Sequence, residues 1–352
     1  MKCYCIVNFR EALAELDMPI PEPKGAEVLL KVKAAGVCHS DIHLWEGGYD
    51  LGNGRILSLQ DRGVSLPLAL GHETVGTLEA MGPDAKGVEK GRNYLAYPWI
   101  GCGECATCRA GRENYCAAPR TLGILRHGGY AEYLLVPDAK YLIDIGDLDP
   151  AQLAPYACSG LTTFSALKKI GADTYTEHPI LIFGAGGLGL MSLQLLKALG
   201  GKGAVVVDID PVKREAALKA GALAAIDGNA PDVAEQIAQA MGGPAQAAID
   251  LVGAPATSEL AFNCLAKGGK LVIIGLFGGL APWSMALIPI KAIQILGSFV
   301  GNLGELQELI ELVKTGKVPP MPIETFALNE ADEALSRLRK GGVTGRAVLM
   351  AS

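Results

Sequence analysis

Four cysteines stand close together in the stretch "GCGECATCRAGRENYC", which begins at Gly101. They are Cys102, Cys105, Cys108 and Cys116, with the spacing C-x2-C-x2-C-x7-C. A structural zinc ion takes four tetrahedral ligands, with zinc–sulfur distances of about 2.3 Å, and four thiolates in one loop fill every position. An iron–sulfur cluster also uses four cysteines, but the bacterial motif has a three-residue final gap followed by proline. The spacing therefore predicts a closed, structural zinc site.

A second group of possible ligands is spread over three distant motifs. "GVCHSDIH" contains Cys38, "LGHETVG" contains His72 followed by Glu73, and "ACSGLTT" contains Cys158. A catalytic zinc needs three protein ligands and an open fourth position, and both thiolate and imidazole are suitable ligands. Taken one at a time, a cysteine or histidine is also a common buried core residue. The residue types alone leave a catalytic metal and ordinary packing both open.

A third motif predicts a dinucleotide. "ILIFGAGGLGLMSLQLLKALGGKGAVVVDID" contains an apolar strand, a G-x-G-x-x-G turn, a helix and a second strand that ends at Asp208. The glycines permit a tight turn, approach to a pyrophosphate and close packing of the helix on the strand, while the acidic residue binds the ribose and favours NAD over NADP. The predicted contacts are Gly184, Gly186, Gly187, Leu188, Gly189 and Asp208. A flavodoxin-like domain without a dinucleotide is the alternative.

Two kinds of structural element must position these motifs. Downstream of the glycines, helical and strand patterns alternate to "KLVIIGLFG", which is typical of a parallel doubly wound sheet whose ligand crevice lies at the carboxyl ends of its strands. Val252, Ile274 and Gly275 lie at such ends. Up to about residue 150, short strands separated by Gly, Pro and Asp turns indicate an antiparallel β domain. The chain is therefore α/β, and its length of 352 residues predicts two domains.

Composition excludes several function classes. The formal net charge is -6 and no basic run occurs, so neither nucleic acid nor an anionic membrane is an expected partner. The N-terminus has no signal-peptide pattern, and nine cysteines in a long chain favour reduced thiols, so a cytoplasmic protein is expected. The uncharged run from Leu271 to Ile290 is long enough to span a bilayer. Its glycines and prolines instead favour buried strands and tight loops.

In this order, the motifs "GVCHSD", "GHETVG", the four cysteines, "CSGLTT", "GAGGLG" and "VVVDID" identify a resemblance. The chain resembles the zinc-containing alcohol dehydrogenases of the medium-chain dehydrogenase/reductase family from end to end. This implies a GroES-like zinc-binding catalytic domain over residues 1–159, a Rossmann NAD-binding domain over 160–298, and a return to the catalytic domain over 299–352. It also implies two zinc ions per subunit, NAD, a small-molecule alcohol, aldehyde or ketone substrate, and a homotetramer or homodimer.

The resemblance also implies roles for individual residues. Cys38, His72 and Cys158 match the catalytic zinc ligands, and Glu73 matches an acidic residue that can approach the metal. Asp41 matches the carboxylate that orients the ligand histidine, Ser40 the hydroxyl that bonds the substrate oxygen, and His43 the outer end of a proton relay. Further cofactor contacts are expected from His39, Lys213, Val252, Ile274, Gly275, Ser298, Val300 and Arg346. Whether Glu73 binds zinc at rest stays open.

Departures from the family pattern concern the substrate. An insertion from Gly47 to Pro67 separates Cys38 from His72, and it is either part of the cleft mouth or a solvated loop. Trp45, Tyr97 and Trp99 match substrate-pocket walls and favour a bulky or aromatic primary or secondary alcohol. Two alternatives stay open: a polyol or sugar dehydrogenase of the same superfamily, and a non-catalytic zinc- and dinucleotide-binding sensor. Cys3, Cys5 and Cys264 are expected to be packing residues.

Overall fold

A computed structural model describes residues 1–351. Before residue 159 the chain forms mainly short strands and turns. The strands are β1 (Lys2–Ile6), β2 (Ala14–Asp17), β3 (Val28–Val37), β4 (Gly48–Asp50), β5 (Ile56–Ser58), β6 (Leu68–Ala69), β7 (Glu73–Met81), β8 (Asn93–Ala96), β9 (Tyr133–Val136) and β10 (Leu142–Asp144). The helices are α1 (His39–Glu46), α2 (Ala106–Arg109) and α3 (Pro150–Leu153), and short 3-10 turns cover Glu113–Tyr115, Ala139–Tyr141 and Ala154–Ala157.

From residue 159 onward helices and strands alternate. The helices are α4 (Ser159–Ile170), α5 (Ala172–Glu177), α6 (Gly187–Ala198), α7 (Pro211–Lys219), α8 (Val233–Met241), α9 (Pro255–Cys264), α10 (Leu287–Lys291), α11 (Leu303–Lys314) and α12 (Ala331–Arg339). The strands are β11 (Ile180–Phe183), β12 (Ala204–Asp208), β13 (Ala224–Asp227), β14 (Ala245–Asp250), β15 (Leu265–Ile273), β16 (Gln294–Gly297), β17 (Ile323–Ala327) and β18 (Arg346–Met350). A 3-10 turn covers Leu328–Glu330.

The N-terminal part is built on a seven-stranded sheet with the order β10-β8-β7-β3-β18-β17, and β9 also pairs with β3. All its neighbouring strands are antiparallel except β17 and β18. Strand β3 is almost entirely buried because it has neighbours on both edges and side chains packed on both faces. The end of β3 and the start of β7 position residues of the candidate site. Strand β3 leads directly into α1, and Gly36 near its end lies opposite Glu73 at the start of β7.

The second part is a six-stranded parallel sheet with the order β13-β12-β11-β14-β15-β16. The doubly wound sheet expected from the sequence is therefore confirmed. The strand order reverses between β11 and β14, and ligands of such sheets bind in the crevice at this switch point, beyond the carboxyl ends of the strands. The predicted glycines follow β11, and Asp208 ends β12. The fold thus places both cofactor motifs at one edge of the sheet.

The segment after residue 298 is divided between the two parts. Helix α11 packs against α4 and contributes Leu306, Leu309 and Ile310 to the core shared with that helix. Strands β17 and β18 instead join the N-terminal sheet, and α12 packs against α1. The predicted domain boundaries stay predictions, and Ser352, the last residue of the third predicted segment, lies outside the described residues.

The apolar run from Leu271 to Ile290 forms no long helix. It comprises the end of β15, an irregular loop and the start of the short helix α10. Among residues 1–351, no helix is both long enough and apolar enough to cross a membrane. The glycines and prolines of this run therefore act as the sequence predicted, by ending the strand and keeping the following segment irregular.

Candidate active site

The four cysteines of the lobe converge on one point. Their Sγ atoms lie 3.9 Å apart for Cys102 and Cys108, 3.4 Å for Cys105 and Cys108, and 3.9 Å for Cys105 and Cys116. Thiolates at 2.3 Å around a tetrahedral zinc are separated by about 3.8 Å. The glycine at position 101 is needed here, because a Cβ on Gly101 would come within 2.5 Å of the Cys108 sulfur. The four thiols therefore fit a zinc ion without rearrangement.

Backbone amides surround these sulfurs. The amide of Cys108 donates to Cys105 Sγ at 3.4 Å, and the amides of Cys102 and Ala118 donate to Cys116 Sγ, each at 3.3 Å. Hydrogen bonds from the Glu104 and Cys105 amides lower the pKa of Cys102 to about 6. Amide donors stabilise a thiolate, which is the form that binds a metal. The local backbone therefore prepares the lobe for a cation.

A second set of ligand atoms is enclosed in the protein. One ligand atom from each member lies within 4.8 Å of the others, and every member is buried: Cys38, His72, Glu73 and Cys158. Three elements meet here, since Cys38 precedes α1, His72 precedes β7 and Glu73 begins it, and Cys158 precedes α4. The two sulfurs are 3.9 Å apart. The structure thus brings together all four residues that the sequence assigned to a catalytic metal.

The hydrogen-bonding state of His72 tests whether a metal fits this set. Both of its ring nitrogens are buried without a hydrogen-bond partner among the described residues, and Nδ1 lies 3.3 Å from Asp41 Oδ1, within ion-pair distance of the carboxylate. Burial alone would lower the pKa of His72, but the charges of Asp41 and Cys38 raise it well above its usual value. Two sulfurs and an otherwise unsatisfied imidazole nitrogen are the donor set that zinc prefers. The residues therefore fit a zinc ion.

Asp41 is held rigidly behind the histidine. Its Oδ2 accepts hydrogen bonds from the Cys38 amide at 2.9 Å and from the Tyr130 hydroxyl at 3.2 Å. Both the carboxylate and Tyr130 are fully buried. This geometry is the one expected of a carboxylate that orients a ligand histidine. Tyr130 was missed from the sequence because no local motif links it to Asp41, which lies 89 positions earlier.

Glu73 forms a buried ion pair with Arg346. The guanidinium contacts Glu73 Oε2, and the Ser159 amide donates to Glu73 Oε1 at 3.2 Å. Burial raises the pKa of Glu73 to about 7, against the opposing charge of Arg346. Arg346 also touches the first turn of α6, because a Cβ on Gly187 would lie 2.7 Å from Arg346 Cδ. Arg346, expected at the pyrophosphate, thus lies between that helix N-terminus and the metal set.

The predicted relay residues lie on α1 beside the sulfurs. Ser40 Oγ is 3.8 Å from Cys38 Sγ, and His43 follows one turn later. His43 Nδ1 lies 3.6 Å from a carboxylate oxygen of Glu46, which reaches the surface. Burial lowers the pKa of His43 below its ordinary value of 6.5. A neutral imidazole and an exposed carboxylate therefore lead outward from Ser40, and no sequence motif marks Glu46 as part of this path.

The cofactor motif has the backbone geometry that its glycines require. Gly184 adopts φ +101°, and a Cβ on Gly189 would lie 2.1 Å from the Gly184 carbonyl oxygen, so the third glycine lets α6 pack on β11. The Ala185 amide donates to Asp208 Oδ2 at 2.7 Å. Lys213 lies on the first turn of α7, 3.9 Å from the Asp210 carboxylate. The residues predicted to bind the phosphates and the ribose therefore line one edge of the parallel sheet.

Residues from neighbouring strands close the crevice. The loops after β14 and β15 touch, since a Cβ on Gly275 would lie 1.9 Å from the Val252 carbonyl carbon. Ile274 directly follows β15 and is half-buried. His39, at the start of α1, stacks on Phe277 with ring centroids 5.3 Å apart. The loop after β15 thus meets the first turn of α1, which carries the predicted cofactor residue His39.

The aromatic residues that were predicted to line the substrate pocket have different surroundings in the structure. Trp99 lies beside the metal set, with its ring 5.4 Å from the His72 ring and its Nε1 donating to the Ala157 carbonyl at 2.9 Å. Tyr97 is fully buried and donates to the Gly301 carbonyl at 3.0 Å, so it supports the pocket from behind. Of these two residues, only Trp99 has its ring against a member of the metal set.

Trp45 does not lie at the pocket where the sequence predicted it. Its Nε1 donates to the Glu11 carbonyl at 2.5 Å, and Arg339 stacks over its ring at 4.3 Å. Trp45 follows His43 by two positions on α1, which turns its side chain by about 200°. It therefore packs on the face of α1 that meets α12, away from the metal set. Proximity in sequence to the relay histidine made it appear to be a pocket residue.

The insertion from Gly47 to Pro67 forms a hairpin of β4 and β5. Its turn reaches the loop after β15, because a Cβ on Gly52 would lie 2.7 Å from Leu280 Cγ and one on Gly278 would lie 2.2 Å from the Asp50 carbonyl oxygen. Tyr49 of the hairpin packs on His43, with ring centroids 4.9 Å apart. The insertion therefore contacts both the loop after β15 and the relay histidine, and its location at the cleft mouth, one of the two expected, stays a prediction.

The remaining cysteines lie in neither candidate metal set of residues 1–351. Cys3 and Cys5 are fully buried and pack with Ala69 and Ala131. Cys264 is partly buried against the core of the parallel sheet. Their positions agree with the packing role expected from the sequence.

Comparisons with known proteins agree with this arrangement. The model of the alcohol dehydrogenase GroES-like domain matches residues 24–147, and that of the zinc-binding dehydrogenases matches residues 187–315. An NAD-dependent alcohol dehydrogenase of Sulfurisphaera tokodaii is 40% identical over 99% of this chain and 100% of that protein. A D-arabinose 1-dehydrogenase (NADP(+)) of Saccharolobus solfataricus is 32% identical over 99% of this chain and 97% of that protein.

A solved structure extends the likeness to three dimensions. The alcohol dehydrogenase of Aeropyrum pernix superposes with a TM-score of 0.89 at 31% identity, over 99% of this chain and 100% of that chain. The fold and the family expected from the sequence are therefore confirmed. The chain belongs to the zinc-binding alcohol dehydrogenases that combine a GroES-like domain with a Rossmann domain.

Proposed function

We propose that this protein oxidises alcohols to aldehydes or ketones with NAD as the hydride acceptor, and that it catalyses the reverse reduction. The observation that carries this proposal is the buried set of Cys38, His72 and Cys158, in which the histidine Nε2 has no hydrogen-bond partner among residues 1–351. The set is close to the edge of the parallel sheet, because Arg346 contacts both Glu73 and the first turn of α6. This proximity supports a site for an electrophile beside one for a dinucleotide.

When bound, zinc supplies an electrophile for the substrate oxygen, and the nicotinamide supplies the hydride chemistry. The protein contributes the path of the proton. Ser40 lies next to Cys38 and passes a proton to His43, which is neutral at pH 7 because burial lowers its pKa. Glu46 carries the path to the surface. Asp41 meanwhile holds His72 in place.

We further propose that each subunit holds two zinc ions with different tasks. The four cysteines of the lobe leave no open position, so an ion there stabilises the fold. The enclosed set has three strong ligands, and its fourth, Glu73, is engaged by Arg346. A ligand that is already paired leaves a coordination position for a substrate. We propose that Glu73 does not bind the metal in the resting state.

NAD is the proposed cofactor because of Asp208. Its carboxylate ends β12 at the crevice edge, where it accepts ribose hydroxyls and repels a 2′-phosphate. The nearest arginine, Arg214, donates to the Asp208 carbonyl at 2.9 Å and pairs with Asp227 at 3.1 Å, so its charge is already used. This chain is similar both to an NAD-dependent alcohol dehydrogenase and to a D-arabinose 1-dehydrogenase (NADP(+)). The choice between the two cofactors therefore rests on Asp208, the residue expected at the ribose.

The substrate class follows from the walls of the cleft. Trp99 and Phe299 form an aromatic pair 5.7 Å apart beside the metal set, and Tyr49 lies on the other side of His43. Aromatic walls favour an apolar or aromatic alcohol, whereas a sugar would need hydrogen-bond partners for several hydroxyls. We therefore propose bulky or aromatic primary and secondary alcohols rather than polyols.

We also propose a homo-oligomer, a dimer or tetramer, in the cytoplasm. Strand β16 forms an edge of the parallel sheet, and the segment leading to it exposes Leu280, Met285 and Ile290, with Met285 77% exposed. An open edge beside apolar side chains favours pairing with a second copy. Nine free thiols, six of them in the candidate ligand sets and three packed in or against the core, support a reducing compartment.

One experiment tests the catalytic proposal. NADH formation should be measured across primary, secondary, aromatic and polyhydroxylated alcohols, with NAD and NADP compared and zinc content determined on the same sample. We expect two zinc ions per subunit, turnover of aromatic alcohols with NAD, and little turnover of polyols. The matched control is Cys264→Ser, a cysteine outside both sets, which should keep full activity. Cofactor binding without any turnover would support a sensor instead.

A further inference from the structure

The four-cysteine lobe touches the wall of the candidate substrate pocket. Asn114 lies on the 3-10 turn between Cys108 and Cys116, and its side-chain amide nitrogen donates to the Phe299 carbonyl at 3.1 Å. The turn itself is fixed, because the side chain of Glu113 accepts hydrogen bonds from the Gly101 amide at 3.0 Å and the Tyr141 hydroxyl at 2.6 Å. The lobe is thus connected to residue 299 by a short, rigid path.

Phe299 in turn forms the open side of the pocket. Its ring is 51% exposed and makes an edge contact with Trp99, at 5.7 Å between centroids. Trp99 lies against His72 and is anchored to the carbonyl that precedes Cys158. A half-exposed aromatic ring so close to the metal set is in position to contact a substrate. Any shift of residue 299 therefore changes the width of the space beside the metal.

The segment around Phe299 does not hold this position by itself. Val300 adopts φ +42°, a left-handed conformation that is unfavourable for a β-branched residue. Its neighbours are tied from three sides, by Lys169 to Ser298 Oγ at 2.9 Å, by Asn114 to the Phe299 carbonyl, and by Tyr97 to the Gly301 carbonyl at 3.0 Å. A strained segment persists only when its surroundings impose it. These hydrogen bonds are that constraint.

The side-chain amide of Asn114 uses only one of its two hydrogen-bonding ends. It is 9% exposed, yet its Oδ1 is buried without a partner among the described residues. A residue retained only for stability would normally satisfy both ends of its amide, since a buried unsatisfied oxygen costs free energy. Only the donor end, which faces Phe299, is used. The geometry therefore points to a role at the pocket rather than in the lobe.

We propose that Asn114 is a positioning residue that couples the four-cysteine lobe to the substrate pocket, fixing Phe299 and so setting the preference for aromatic over small alcohols. This inference rests on the proposed alcohol dehydrogenase function. It gives the lobe a second task beside stabilisation, because the lobe carries the donor that holds the pocket wall. Loss of the donor frees residue 299 while leaving the metal ligands in place.

The test is Asn114→Leu, which keeps the side-chain size and removes the donor. We expect kcat/KM for benzyl alcohol, relative to ethanol, to fall about fivefold, the size expected for one neutral hydrogen bond. The change should appear in KM, with kcat for ethanol, zinc content and melting temperature unchanged. The matched control is Tyr115→Leu on the same turn, an exposed residue that should leave the ratio unaltered.

A second variant and a spectroscopic measurement keep the proposal open to refutation. Tyr97→Phe removes the adjacent tie to Gly301 and should shift the same ratio in the same direction. In a Trp45→Phe, Trp283→Phe background only Trp99 remains, and its emission should change in Asn114→Leu but not in Tyr115→Leu. An unchanged ratio and emission in folded Asn114→Leu would overturn the proposal. Failure of the parent enzyme to oxidise any alcohol would refute the proposed function, and the emission would still decide the coupling.

Discussion

The two cysteine-containing sets differ in their surroundings more than in their ligands. In the lobe, two of the four sulfurs are partly exposed and their neighbours are mainly backbone amides. The enclosed set is fully buried and is surrounded by charged side chains, with Asp41 behind His72 and Arg346 against Glu73. Backbone amides need no partner from elsewhere in the chain. A buried charge network requires three distant segments to be folded first.

This difference indicates what each set is suited to do. A local, four-sulfur set can close around a metal early and hold the fold together. A set that depends on the whole fold, and that has one ligand engaged elsewhere, suits chemistry that needs a tuned and accessible metal. The predictions below test this contrast by disturbing one set at a time, beginning with the largest expected effect.

The largest effect is expected from Cys38→Ser. Loss of one sulfur from the enclosed set should lower kcat/KM by about a thousandfold, because the electrophile contributes several kcal/mol to the transition state. Zinc should fall from two ions to one per subunit. The melting temperature should change little, since the lobe keeps its ion. Inductively coupled plasma analysis and steady-state kinetics measure these quantities, and an active variant with one zinc would contradict the assignment.

Cys105→Ser should give the reverse pattern. The variant should lose the lobe zinc and several kcal/mol of folding free energy, because a structural ion contributes its binding energy to folding. The enclosed set should retain its ion. Urea unfolding and zinc content check this expectation. If Cys105→Ser lost activity completely while keeping its stability, the two sets would not have separate tasks.

Asp41→Asn should weaken metal binding without removing a ligand. Replacing the carboxylate 3.3 Å from His72 Nδ1 takes away the charge that orients the imidazole, and such changes cost about 10–100-fold in metal affinity. If the asparagine NH2 group takes the position of Oδ2, it cannot accept the hydrogen bonds that the Cys38 amide and the Tyr130 hydroxyl donate to Asp41. Competition with a chelator measures the affinity. Retention of parental affinity would remove Asp41 from the ligand support.

The smallest effect concerns pH and His43. Burial lowers the folded-state pKa of His43 below its ordinary 6.5, so the imidazole is neutral above about pH 6.5 and protonates as the pH falls. Protonation blocks proton acceptance, and it also destabilises the folded state, because the folded pKa is lower than the unfolded one. We expect kcat/KM to fall on the acid side, and His43→Gln to lower it about tenfold and flatten that limb. An unchanged limb would exclude His43 from the relay.

The sequence identified local features well. The four-cysteine lobe, the glycine turn and the strand ending at Asp208 depend on spacing within a few residues, and the structure has each of them as expected. The ligands of the catalytic metal could be grouped only through the resemblance to a known family, which relates motifs that are far apart in the sequence. Cys38, His72 and Cys158 come from three separate motifs, and no local pattern states that they meet.

The features that the sequence missed are long-range side-chain contacts. Asn114 and Phe299 are 185 positions apart, and the hydrogen bond between them depends on how the lobe packs on the segment that follows β16. Trp45 shows the opposite error, since it is close to His43 in sequence but on another face of the same helix. Helical periodicity could have separated the two, because positions two apart on a helix do not share a face.

The central claim is that two sulfurs and one imidazole of the enclosed set hold a zinc ion that is distinct from the ion of the lobe. Diffraction at the zinc absorption edge from crystals of the zinc-loaded protein tests it most directly. The account predicts two anomalous peaks per subunit, one of them about 2.3 Å from the sulfurs of Cys38 and Cys158 and about 2.1 Å from His72 Nε2. A single peak in the lobe, with the enclosed residues lacking any metal, would contradict it.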